Sequence, residues 1–193
     1  MTNLYEDTKE YIGPKLTRSF RIRIEKCVVN LYLKLGIKHF PVDPFDIAKK
    51  LNIRIVSYST LQLGDLALLN TVSADGVSGR NLDGKYTIIY NERKQTFDRH
   101  RFTIMHEIGH IVLGHNQNSD FAEICANYFA SYALAPFPLI QLFGCKSKMD
   151  IVLIFRVSKE CAYIIFDRYN RWLNACKELN QHEIMLIKQF NNL

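Results

Sequence analysis

The 193-residue sequence has no uninterrupted apolar run close to the roughly 18 residues that a membrane-spanning helix needs. Its nearest approach, residues 133–143, is interrupted by Pro136, Pro138 and Gln141. The first residues have neither the basic start nor the apolar core of a signal peptide, so we expect a cytoplasmic protein that has no membrane partner. Repeats, low-complexity tracts and linkers are also missing, which favours one domain over residues 1–193.

The sequence contains cysteine but lacks the paired spacing that is typical of disulfide frameworks and of cysteine-ligated zinc sites. The five cysteines are an odd number and show no CxxC spacing. A disulfide framework and a cysteine-ligated zinc site are therefore not expected. We predict free thiols in a reducing compartment.

Acidic residues are outnumbered, and the net charge is +6. Most of the excess lies in residues 1–60, with 11 Lys/Arg against 6 Asp/Glu, and Arg18, Arg21, Arg23 and Lys26 cluster there. Such a cluster is typical of a solvated helix face. The alternative is a surface that docks an acidic protein or nucleic acid, so nucleic acid is retained as a less favoured partner.

The most informative stretch that is present is His106-Glu107-Ile108-Gly109-His110, a HExxH motif. Histidines at i and i+4 lie on one face of a helix and can supply two ligands to one zinc ion. Glu107 lies beside the first ligand, where it can act as a base on water at the metal without binding the metal. The motif therefore indicates a metallopeptidase active site. The alternative is a chance match in a chain that holds no metal.

The residues on either side of the motif predict a single helix of about four to five turns. Thr96 is the predicted N-cap, and Gly114 is the predicted C′ residue after Leu113. Apolar residues recur between these ends at helical spacings. The two histidines are therefore predicted to lie in one helix, which places them on the same face.

A catalytic zinc ion takes three protein ligands, so a third ligand is needed. Glu123 is the favoured candidate, because Asn127 follows it at i+4 on a second predicted helix and can orient a ligand histidine. The alternative is a capping box with Asp120 as N-cap and Glu123 at N3, which needs no metal. His115 is a less favoured ligand, because it follows the Gly114 break and does not continue the metzincin pattern.

Three ordered stretches resemble signatures of the ImmA/IrrE family of metallopeptidases. Residues 101–110 resemble its Arg-Phe-Thr-x-x-His-Glu-x-Gly-His signature, residues 123–136 its second signature, and residues 155–168 a later helical segment. Residues 45–53 resemble its first helix and strand. The likeness extends over most of the chain, from about residue 44 to residue 168.

The resemblance implies that His106, His110 and Glu123 are zinc ligands and that Glu107 is the catalytic base. It also implies a substrate, a helix-turn-helix repressor of a phage or integrative element that is cut to derepress its genes. Cys125 stands where family members often carry an acidic residue, a departure that leaves the ligand set unchanged. A second hypothesis is a regulatory module that binds a repressor or DNA and has a structural or weakly active zinc site.

The expected fold is α+β and zincin-like, with a small, mostly antiparallel sheet packed on helices. We expect a helical extension over residues 1–42, a core over 43–136 and a helical C-terminal part over 137–193. Two Asp-Gly pairs, at 75–76 and 83–84, predict tight turns between strands at about residues 65–73, 77–82 and 85–90.

Two further expectations concern substrate and partners. The substrate chain would lie along the edge strand, for which residues 85–90 or their neighbour are the prediction. Tyr128 and His115 are candidate donors to the oxyanion. A helix pair around Ser158 resembles a helix-turn-helix, and plain helix packing is favoured over DNA recognition there.

Overall fold

The structure, a computed structural model, describes residues 16–62, 73, 75–93, 96–117, 119–175 and 178–191. The strands are β1 (Arg54–Ser57), β2 (Gly76–Arg80) and β3 (Tyr86–Tyr90). The helices are α1 (Arg18–Leu35), α2 (Pro44–Lys50), α3 (Phe97–Leu113), α4 (Asp120–Leu134), α5 (Phe137–Leu142), α6 (Lys148–Phe155), α7 (Lys159–Ala175) and α8 (Gln181–Asn191). The predicted α+β class is confirmed.

Within the described ranges, no helix is long and apolar enough to cross a bilayer. The four cysteines placed there are free thiols, as predicted.

The sheet is mixed, with the strand order β1-β3-β2. β1 runs parallel to β3, and β2 runs antiparallel to β3. The prediction of a mostly antiparallel sheet is wrong for β1. It rests on Asp-Gly turns, which predict that consecutive strands run antiparallel but give no information on how β1 pairs. The predicted edge, residues 85–90, is the central strand, and its neighbour β2 forms an edge of the described sheet.

A tight turn at Asp83-Gly84 joins β2 to β3, as predicted. Gly84 has a φ of 80°, a conformation that glycine adopts without strain. The turn is closed by the Asn81 N–H, which donates to the Lys85 carbonyl at 2.8 Å. The strand predicted at about residues 65–73 lies outside the described residues except for Ser73.

Helix α4 forms the centre of the helical layer and packs against α1, α3 and α7. Its residues from Tyr128 to Leu134 are all buried. The Tyr128 hydroxyl donates to Glu25 Oε1 of α1 at 2.5 Å, and the Tyr32 hydroxyl donates to the carbonyl of Ala133. These buried hydrogen bonds join α1 to α4.

The helices predicted around Ser158 are α6 and α7, and they pack against each other. Ile151 and Phe155 of α6 are buried, whereas Leu153 is 70% exposed. Arg18, Arg21, Arg23 and Lys26 lie on the exposed face of α1. The preference for plain helix packing over DNA recognition by α6 and α7 stays a prediction. The preference for a solvated face over a docking surface at the basic residues of α1 also stays a prediction.

A buried arginine fixes the start of α3 to the segment before α2 and to the end of α6. Arg101 is 3% exposed, and its guanidinium donates to the carbonyls of Val42, Phe155 and Arg156. The last two carbonyls lie at the C-terminal end of α6, where the helix dipole favours a cation. One side chain thus holds together the segment before α2, the HExxH helix and the end of α6.

We predict that Arg101→Met lowers the free energy of unfolding by about 2–4 kcal/mol, because it leaves buried carbonyls without a donor. Urea denaturation of the purified variant measures this loss. The matched control is Arg171→Met, since Arg171 forms an exposed i,i+4 ion pair with Asp167, and it should cost less than about 1 kcal/mol. Equal losses for both variants would contradict the role assigned to Arg101.

Candidate metal centre

Donor atoms of three side chains from two helices converge at the contact between α3 and α4. His106 Nε2 and His110 Nε2 lie 2.9 Å apart. Glu123 Oε2 lies 3.2 Å from His106 Nε2, and Glu123 Oε1 lies 3.3 Å from His110 Nε2. The structure therefore brings together the three residues that the sequence analysis selected as ligands.

The secondary structure of both helices explains this meeting. Both histidines project from α3, and Glu123 lies in the first turn of α4. The N-cap of α4 is Ser119, whose hydroxyl accepts from the Ala122 N–H at 3.1 Å. The alternative with Asp120 as N-cap is wrong, because Ser119 occupies that position and the Glu123 carboxylate faces the histidines.

The donor atoms lie close to the spacing that a tetrahedral zinc ion requires. Ligand atoms about 2.0–2.2 Å from zinc at tetrahedral angles lie roughly 3.3–3.5 Å from one another. The two histidine nitrogens lie 2.9 Å apart, below this range, and they lie 3.2 and 3.3 Å from the two different oxygens of Glu123. A nitrogen-rich set with one carboxylate is also a ligand combination that zinc accepts in hydrolases. His106, His110 and Glu123 can therefore hold one such ion.

Asn127, at i+4 from Glu123, contacts the first histidine. The amide oxygen of Asn127 lies 3.0 Å from His106 Nδ1. This contact places the proton of His106 on Nδ1 and leaves the Nε2 lone pair facing the other two donors. Burial lowers the pKa of both His106 and His110. The neutral form that binds metal is thereby favoured.

Glu107, next to the first histidine in the chain, contacts the sheet. It is 7% exposed, and Ser78 Oγ of β2 donates to its Oε2 at 2.7 Å. Burial raises the pKa of Glu107, and the Ser78 hydrogen bond acts in the opposite direction. A raised pKa moves a carboxylate towards the basicity that a general base needs near neutral pH. No pattern in the sequence distinguished Ser78, because its role depends on how β2 packs against α3.

The centre opens into a polar cleft between β2 and α3, with a volume of about 440 Å³. Its lining includes the three donors, Glu107, Ser78 and His115. Tyr128 does not line it, because its hydroxyl is directed to Glu25 of α1. Of the two predicted oxyanion donors, only His115 reaches the cleft.

A second group of potential donors is buried between α1 and α8. Glu25, His182 and Glu183 lie close together there. Tyr128 donates to Glu25, Trp172 donates to Glu183 at 2.7 Å, and His182 Nε2 lies 3.5 Å from Glu25 Oε2. These contacts engage the carboxylates within the protein and attach α8 to the rest of the helical layer.

Fold and site together define a class of protein. A small mixed sheet lies against a HExxH helix, and a following helix adds a carboxylate to the two imidazoles. The sequence profile of the peptidase family described as the IrrE N-terminal-like domain matches residues 48–165, more than half of the chain. The chain therefore belongs to the ImmA/IrrE family of metallopeptidases, which confirms the resemblance drawn from its motifs.

Comparison with curated proteins found no match. Family membership assigns a metallopeptidase-type function and makes protein the substrate class.

The close packing of the two helices depends on a glycine within the motif. A Cβ added at Gly109 would lie 3.0 Å from Phe129 Cδ1 and 3.2 Å from Phe129 Cγ. Phe129 is fully buried and is surrounded by the core. A side chain at position 109 would therefore require the buried Phe129 to move by a few tenths of an ångström, at the contact that holds α3 and α4 together.

We predict that Gly109→Val destabilises the metal-free protein by about 1–3 kcal/mol through overpacking. Gly79→Val is the matched control, because a Cβ at Gly79 meets nothing within 4 Å, and its effect should stay within about 0.5 kcal/mol. Urea denaturation compares the two. A Gly109→Val protein as stable as wild type would show that the helix contact does not require glycine.

Proposed function

We propose that the protein is a zinc-dependent endopeptidase in which His106, His110 and Glu123 hold the zinc ion and Glu107 is the general base. The observation that carries this proposal is the convergence of three ligand side chains, with their atoms 2.9–3.3 Å apart, beside a buried glutamate. Family membership supports peptidase chemistry independently of that geometry.

A zinc ion held by these residues would supply Lewis acidity to the scissile carbonyl and to water, whose pKa would fall towards ~7. Glu107 accepts the proton of the attacking water and delivers it to the leaving amine. A carbon–oxygen bond forms and the carbon–nitrogen bond of the peptide breaks, so the reaction consumes one water and no other reactant. Ser78 holds the Glu107 carboxyl in place during both transfers.

The substrate chain is placed by β2, the strand beside the cleft. Gly76 begins this strand, and a Cβ there would lie 2.8 Å from Thr103 Cγ2 of α3. This close approach brings β2 against the HExxH helix and puts Ser78 within reach of Glu107. A peptide that adds to the edge of β2 by main-chain hydrogen bonds would therefore run past the base and the metal ligands.

The specific substrate that we propose is a helix-turn-helix repressor of a mobile element or stress response, and its cleavage would derepress the controlled genes. The support is the family likeness of residues 101–110, 123–136 and 155–168. We also propose that the protein acts in the cytoplasm, where such repressors bind DNA.

We predict that Glu107→Gln lowers kcat/KM for peptide cleavage by about 10²–10⁴-fold, because a general base contributes that much. Its zinc content should equal that of wild type, since Glu107 is not a ligand. Glu160→Gln, at an exposed position in α7, is the matched control and should cleave like wild type. The assay uses each zinc-loaded protein with candidate repressors, and equal cleavage by Glu107→Gln and wild type would remove Glu107 as the base.

The repressor hypothesis has a separate test. Wild type and Glu107→Gln are each incubated with folded helix-turn-helix repressors and with unfolded casein. We expect wild type alone to cut a repressor at a defined bond. Cleavage of casein with every repressor left intact would support peptidase activity and contradict the proposal that a repressor is the substrate.

A further inference from the structure

We infer that His115 is a positioning residue that fixes the tautomer and orientation of His110, so that Nε2 of His110 faces the metal. The inference rests on the proposed function, because it concerns one of the proposed zinc ligands. It assigns no ligand role to His115. His110 would then have a hydrogen-bond partner at its Nδ1, as His106 has in Asn127.

The contact between the two imidazoles carries this inference. His115 Nδ1 lies 3.2 Å from His110 Nδ1, within hydrogen-bond distance. The ring centroids are 5.0 Å apart and the rings are nearly perpendicular, at 76°. The contact uses Nδ1 of His110, while Nε2 of the same ring faces His106 and Glu123. The two nitrogens of His110 thus serve different partners.

The chemistry of imidazole determines the direction of this hydrogen bond. A neutral histidine carries one proton, and a nitrogen that binds metal must be the unprotonated one. If His110 ligates through Nε2, its proton is on Nδ1, and His115 Nδ1 must be the acceptor. If His115 donated instead, the proton of His110 would lie on Nε2 and would block the metal. His115 therefore acts as an Nε2–H tautomer with its Nδ1 lone pair on His110.

The end of α3 explains how a residue beyond the helix reaches back to the motif. Gly114 has a φ of 71°, which reverses the chain direction. The His115 N–H then donates to the His110 carbonyl at 3.0 Å, and the Gly114 N–H bonds the Ile111 carbonyl at 3.2 Å. These two bonds form a Schellman motif, whose C″ and C3 residues are His115 and His110. Backbone and side chain of His115 are thus both held against His110.

The partner of a ligand histidine contributes to metal affinity, and its loss typically weakens binding 10–100-fold. Two variants of nearly equal shape, His115→Asn and His115→Leu, separate the loss of the hydrogen-bond acceptor from a loss of packing. Asn places its Oδ1 close to the position of His Nδ1 and keeps an acceptor, whereas Leu fills the same space without an acceptor. His39→Leu, at an exposed histidine before α2, is the control for the substitution itself.

The test measures the zinc Kd of wild type, His115→Leu, His115→Asn and His39→Leu by competition with a chelator, and the unfolding midpoint of each metal-free protein. We expect His115→Leu to raise the Kd by about 10–100-fold. His115→Asn should stay within about threefold of wild type, and His39→Leu should match it. The metal-free midpoints of His115→Leu and His115→Asn should agree, since their packing is alike.

Equal affinity of His115→Leu and wild type would overturn the inference and leave the proposed zinc site intact. Equal weakening by Leu and Asn would overturn it too, because an acceptor on its own would then not suffice. Failure of wild type to bind zinc would overturn the proposed function itself, and that result is read from wild type without any variant.

Discussion

The candidate centre depends on the close approach of α3 and α4 where Gly109 meets Phe129. Because position 109 has no side chain, the Phe129 ring packs directly on the backbone of the HExxH helix. His106 and His110 lie on either side of Gly109 along α3, and Glu123 lies earlier on α4. The distance between the helix axes thus sets all the donor separations that involve Glu123. A contact within the apolar core determines the geometry of a polar site.

Polar groups in the interior of this protein are compensated in two ways. Arg101 is buried with its charge directed at three backbone carbonyls, so the protein itself supplies its partners. At the centre, by contrast, two imidazole nitrogens and a carboxylate lie 2.9–3.3 Å from one another. With both imidazoles protonated on Nδ1, the Nε2 lone pairs and the carboxylate would repel one another unless a cation lay between them. A metal ion would supply that positive charge.

Much of this site was predictable from the sequence, because it is encoded by local spacing. The i,i+4 pairs His106–His110 and Glu123–Asn127 and the terminating Gly114 need only helix geometry, and the structure contains each of them. The α+β class followed in the same way. Local rules therefore selected three residues that the structure brings together.

The remaining features depend on contacts between distant segments. Ser78 reaches Glu107 only because β2 packs on α3 at Gly76, and no local pattern reports that contact. The parallel pairing of β1 with β3 likewise joins segments that are far apart in sequence. His115 is an intermediate case: Gly114 was recognised as a helix end, but the return of the next side chain to His110 follows from the cap geometry in three dimensions.

The most direct test of the account is X-ray absorption at the zinc edge on the zinc-loaded protein, combined with its metal content. We predict one zinc per chain, with nitrogen and oxygen donors about 2.0–2.2 Å away, two of them imidazoles. The Glu123→Leu variant should lose its zinc to a chelator that leaves wild type loaded. Sulfur at about 2.3 Å, which would place the metal on cysteine, or zinc retention by Glu123→Leu equal to that of wild type, would contradict the proposed centre.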